Sequence, residues 1–148
     1  MAALNPLHIA IFVNHPPSAH FWAEIQQAFT DSFDVVAPNA KLHFFDPVDK
    51  QEYPDPSEYD LLILSGGKAD ASASDPWILK QLEFIKTTVR DTPQTKILGI
   101  CWGHQALIRA LGGRVGAVPG GPVVSILSLP KVKRRSRLKA NEMSRLPR

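Results

Sequence analysis

Cysteine occurs once in these 148 residues, at position 101, so no internal disulfide can form and a reducing compartment suits the chain. No apolar run approaches the ~20 residues that cross a bilayer, which speaks against a membrane protein. The opening MAALNPLHIAIFVNHPP has neither the basic start nor the long apolar centre of a secretory signal, and its apolar stretch reads better as a first strand. There is no internal repeat, no set of residues spaced as metal ligands, no P-loop and no dinucleotide fingerprint, so neither metal nor cofactor is implied. What is left is a cytoplasmic globular protein, and 44% hydrophobic against 21% charged residues is ordinary for one with a core of its own.

Positive charge is also scarce over most of the chain. The net charge of +3 arises at the end, where residues 131–148 hold eight basic residues and one acid, Glu142, while residues 1–130 hold nine basic and thirteen acidic residues. A basic pI is therefore no sign that the folded part binds nucleic acid. Residues 1–130 read as one domain, and residues 131–148, which lack apolar periodicity, as a basic disordered tail. Lys131, Lys133, Arg134, Arg135, Arg137 and Lys139 resemble a nuclear-localisation run, which makes the nucleus the alternative to the cytoplasm.

Apolar patterning places the elements. Residues 7–13 and 59–64 are β-branched and aliphatic runs of the kind that form buried parallel strands, and residues 41–45 read as a strand between them. Ser18 is a candidate N-cap for a helix carrying Phe21, Trp22, Ile25, Ala28, Phe29 and Phe33 on one face. Residues 46–58, rich in proline and acids, read as an exposed loop with a solvated acidic face. Asp75 with Pro76 opens a further helix in which Trp77, Ile78, Leu82, Ile85 and Val89 should pack on a sheet. The order is an α/β one, a three-layer, doubly wound and mostly parallel sheet.

Chemistry concentrates in KILGICWGHQALIRALGG, residues 96–113. Ile97, Leu98 and Ile100 read as a buried parallel strand, Ala106, Leu107, Ala110 and Leu111 recur at helical spacing, and the chain must turn sharply at Cys101 between them. Gly99 and Gly103 flank it at two residues on either side, as a nucleophile elbow requires. Such a turn presents the thiol at a helix N-terminus, which favours a thiolate. The alternative is a small buried cysteine between ordinary glycines. Upstream, Ser65-Gly66-Gly67 comes directly after a strand, where glycines either make a tight turn or leave amides open to a substrate.

The string GICWGHQALIRALGG, with Cys101, Gly103, His104 and Gln105, resembles the nucleophile segment of class I glutamine amidotransferases, in the manner of a GMP synthase glutaminase domain. The resemblance runs from about residue 7 to residue 122. It implies a flavodoxin-like fold and hydrolysis of glutamine to glutamate and ammonia, with Cys101 as nucleophile. It also implies the backbone N–H groups of Gly67 and Trp102 as oxyanion-hole donors, Gly66 and Gln105 at the bound glutamine, and a synthetase as the partner that takes the ammonia. His104 belongs to the same string and is not the base.

The pattern then departs from the family. There the base and its orienting carboxylate arrive as His-x-Glu well after the elbow, whereas here no histidine comes after His104 and Glu142 is the sole later acid. The expectation is a domain incomplete at its C-terminus, truncated or spliced before that segment, with impaired turnover. The alternative is a non-catalytic binding or regulatory module on the same fold.

Overall fold

The computed structural model describes residues 5–120. Four short strands, β1 (His8–Phe12), β2 (Lys41–Phe45), β3 (Leu61–Leu64) and β4 (Lys96–Gly99), join in one wholly parallel sheet of order β2-β1-β3-β4. β1 is central, pairing Ile11 with Phe44 on one side and with Ile63 on the other, while Leu64 of β3 pairs Gly99 of β4. Three helices connect them: α1 (Trp22–Val36), α2 (Pro76–Asp91) and α3 (Trp102–Ala110).

Side chains alternate across the sheet because a strand has a two-residue period. Ala10, Phe12, Leu62 and Leu64 point to one face and pack with Ile78 and Ile85 of α2 and Trp102 and Ala106 of α3. Ile9, Ile11, Val13 and Ile63 point to the other, where Trp22, Ile25, Phe29 and Phe33 of α1 lie on them. The fold is thus three layers, doubly wound, with the strand order of flavodoxin-like sheets. The chain moves outward from β1 to β2 and then reverses to β3 and β4, and the helices change face with that reversal. The compact unit ends at Gly116. The division expected at residue 130 and the basic tail lie outside the described residues.

Three local expectations are corrected. α1 starts at Trp22 after tight turns, Ala19 N donating to Pro16 O at 2.9 Å, so Ser18 is not its cap. The stretch after β2 is more than a solvated loop: Asp46 is buried at 3% exposure and accepts from the amides of Val48, Asp49 and Lys50 at 3.0, 3.0 and 3.2 Å. That turn seats Tyr53 against Phe12 and Phe84, whose ring centroids lie 5.7 and 4.8 Å away. In α2 Val89 is exposed, and Gln81 and Thr88 are buried. Thr88 fits because its hydroxyl donates to Phe84 O at 2.8 Å, within its own helix.

Candidate active site

Open parallel sheets leave a crevice where the strand order reverses, outside the carboxyl ends of the two strands concerned. Here those strands are β1 and β3, which run on into Asn14-His15 and Ser65-Gly66-Gly67 respectively. One strand further, β4 ends in the turn that carries Cys101.

Cys101 has φ 51° and ψ −108°, a backbone conformation that side-chain-bearing residues avoid. The strain is held by packing on both sides. A methyl group at Gly99 would lie 2.6 Å from Gly103 O and from His104 N, and one at Gly103 would collide with Leu64 O and lie 2.6 Å from Leu64 Cβ. Both glycines are required because strand, turn and helix approach more closely than a Cβ allows. The first turn of α3 is closed by Gly103 N donating to Ile100 O at 2.9 Å and by His104 N and Gln105 N donating to Cys101 O at 3.1 and 3.2 Å. The thiol is exposed.

The Ser65-Gly66-Gly67 segment lies against this elbow. A methyl at Gly66 would be 3.6 Å from Cys101 Cβ, and one at Gly67 would be 2.7 Å from Asn14 O and 3.3 Å from Trp102 Cγ. Trp102 is buried, its ring stacked on Trp77 at a centroid distance of 5.1 Å. Among the described residues neither the Gly67 N–H nor the Trp102 N–H has a hydrogen-bond acceptor. Arg109 of α3 holds the loop beyond, its Nη1 donating to Ala71 O and Ala73 O at 2.9 and 2.6 Å.

Gly66 and Gly67 also line a cavity of about 580 Å³ together with His15, Ser65, Lys68 and Ile100, its remaining wall formed by α1 around Phe29. Its size is that of small-molecule sites. Lys68 Nζ stands 5.1 Å from the Phe21 ring centroid at the same place. Partial burial, and then the Lys68 charge, hold the His15 imidazole below its ordinary range.

The structure therefore brings Gly66, Gly67, Cys101 and Trp102 together. Gln105 stands apart, exposed, lining a separate cleft of about 250 Å³ with His104 and Arg114. No three His, Cys, Asp or Glu side chains converge as a metal would require, among the described residues. Sequence reasoning misses Asn14 and the hydroxyl of Ser65, both nearly inaccessible at 2% and 3% exposure and joined across 51 positions. In the sequence Asn14 reads only as a strand breaker. The signal that could have found it is its position at the carboxyl end of the strand where the sheet reverses direction.

Comparison with known proteins bears on this arrangement. The family model described as Glutamine amidotransferase class-I matches residues 32–145, extending past residue 122, where the resemblance in the motifs ends. The chain is 46% identical over 127 residues to the Glutamine amidotransferase-like protein chyE of Penicillium rubens, covering 85% of this chain and 53% of that protein. It is 38% identical over 82 residues to Gamma-glutamyl peptidase 4 of Arabidopsis thaliana, covering 55% and 32%. Among solved structures, the glutamine amido transferase of Methylobacillus flagellatus superposes with a TM-score of 0.55 at 23% identity over 79% of this chain and 43% of that one, a likeness of fold. The chain spans about half the length of the first of these curated relatives and less of the other.

Proposed function

Because the chain belongs to the class I glutamine amidotransferase family, we propose that its elbow is a thiol site for amides of the glutamate side-chain carboxyl, glutamine first among them. The single observation that carries this is the strained backbone of Cys101, φ 51° and ψ −108°, held between two glycines that admit no side chain. Strain at a non-glycine residue persists where function needs the side chain presented there.

In this reading the Cys101 thiolate attacks the side-chain amide carbon, a C–S bond forms, and the carbonyl π pair moves onto oxygen. The Gly67 and Trp102 N–H groups receive that oxyanion. In other acyl-transfer enzymes removing one such donor costs about 10²–10³ in rate. Collapse, with one proton taken up from water onto nitrogen, expels the amine, which is ammonia when glutamine is the substrate, and water then attacks the thioester to release glutamate and return the sulfur. The partial positive charge at the start of α3 favours the thiolate. Gly66 would flank the bound substrate and a synthetase would accept the ammonia, while Gln105, which lines the separate cleft, is left out of this reading. The relation to proteins named gamma-glutamyl peptidases supports the same bond class with an amine larger than ammonia. A lone reactive thiol also needs a reducing compartment such as the cytosol.

No His-x-Glu occurs in the chain, so the base of the family reaction is not supplied by that motif and turnover should be slow. The same fact favours a second reading, a glutamine-binding module without hydrolysis. Incubation with a chloroketone analogue of glutamine, read by intact mass and beside an ammonia assay, separates the two. One adduct in the wild type and none in Cys101→Ser is expected. Adduct without ammonia selects the binding module, and absence of any adduct overturns the assignment.

A further inference from the structure

We propose that Ser65 is a positioning residue that orients one of the two oxyanion donors, with Asn14 as its anchor; this rests on the elbow reading above.

One peptide plane carries the effect. Gly66 C=O and Gly67 N–H belong to the same trans peptide, so they point in opposite directions, and whatever fixes the carbonyl fixes the amide. Ser65 Oγ lies 2.9 Å from Gly66 O and also 2.9 Å from Asn14 N. A backbone N–H can only donate, so Oγ accepts from Asn14, and its own hydrogen is free to donate to Gly66 O. The direction of that bond is thereby determined, and it turns the Gly67 N–H to the opposite side of the plane.

The preceding peptide is fixed as well. Ser65 O accepts from Asn14 Nδ2 at 2.8 Å and from Gly103 N at 3.2 Å, while Ser65 N donates to Phe12 O at 3.0 Å. The ends of β1 and β3 and the first turn of α3 thus meet at one residue. The α3 bond matters most for chemistry: it ties the segment bearing the Gly67 amide to the turn bearing Cys101 and the Trp102 amide. Both donors are then set relative to the sulfur before any substrate arrives, as preorganised stabilisation requires. Ser65 is nearly inaccessible, at 3% exposure, and acts through Gly67.

The test compares two reactions of Cys101, the only thiol in the chain. With p-nitrophenyl acetate the thiolate attacks the ester carbon, the π pair moves to oxygen, and collapse expels p-nitrophenolate to leave S-acetyl-cysteine. With iodoacetamide a C–S bond forms as iodide leaves, and no oxyanion develops. The ratio of the two rate constants, measured on the full chain, isolates oxyanion stabilisation from thiol exposure and ionisation.

Wild type should show a ratio above that of free cysteine. Ser65→Ala should lower it about tenfold, a fraction of the loss when a donor is removed outright. Its alkylation rate should stay within twofold, and Ser65→Thr, which keeps the hydroxyl, should restore the ratio. An unchanged ratio in Ser65→Ala overturns the proposal while leaving the elbow reading in place. A wild-type ratio no higher than that of free cysteine overturns the oxyanion assignment itself. Should Ser65→Ala lose its cooperative melt, Asn14→Ala, which removes the Nδ2 bond to Ser65 O and keeps the backbone donor to Oγ, tests the anchor: a several-fold lower ratio supports the proposal and an unchanged one overturns the role it gives Asn14.

Discussion

The two faces of the sheet are covered unequally. Under α2 and α3 the side chains are sealed, with Phe12, Leu62, Leu64, Ile78 and Trp102 at 1% exposure or less. On the opposite face α1 alone, among the described residues, lies over the sheet, and β4 with its extension, which the sequence pattern reads as buried, keeps Leu98 at 47% and Ile100 at 41% exposure. The reason is width. A helix with its side chains is about 10–12 Å across and strands are spaced about 4.8 Å, so one helix covers about two strands and two helices cover four. α1 sits over the middle of the sheet and the cavity opens where its coverage ends, beside Ile100 and the glycines of the site. The closed face supplies rigidity to the elbow, and the open one supplies access to it.

Substitutions should break this asymmetry in graded steps. The largest effect is expected at the closed face from Gly103→Ala, because the added methyl meets Leu64 backbone and Cβ atoms that cannot turn away. A loss of about 3 kcal/mol or more in urea unfolding is expected, together with loss of Cys101-directed labelling as α3 lifts. Next, Leu64→Ala and Leu98→Ala delete the same side-chain atoms from neighbouring strands on opposite sides of the coverage. The first should cost about 3 kcal/mol and the second less than about 1 kcal/mol, since Leu98 leaves no cavity behind. Equal costs would mean that the face at β4 is covered in solution.

The smallest effect concerns His15 at the rim of the open side. Its imidazole is lowered below its ordinary 6.5 by partial burial and by Lys68. In that case the unfolded chain binds the proton more readily than the folded one, so this contribution to stability is complete above pH 6.5 and is lost as pH falls toward the lowered value. Thermal melts of His15→Gln should therefore fall less steeply than wild type just below pH 6.5. An identical slope would remove His15 as the cause.

Much of this is legible residue by residue. The runs at β1 and β3 are aliphatic because their residues alternate between two buried faces, and the helices announce themselves through Phe29, Ile78, Ile85 and Ala106 at helical spacing. The elbow is legible for a different reason: its geometry is imposed by residues within two positions of Cys101, and the short range leaves a local trace. Asp46 and Gln81 are not legible. An acid in a proline-rich loop and an amide on a helix look solvent-facing, yet Asp46 is buried among the amide donors of its turn and Gln81 lies on the buried side of α2.

By itself the sequence determined the order of strands and helices, the turn at Cys101 and the need for glycine on both sides of it. These are short-range properties, set by side-chain period and by steric limits on a few dihedrals. Tertiary structure alone decided that β1 lies between β2 and β3, that Asn14 meets Ser65 across 51 residues, and that Gly66 and Gly67 lie against Cys101 and Trp102. Those outcomes depend on strand order and register, which are set by how whole layers pack and leave no mark on any one stretch of chain.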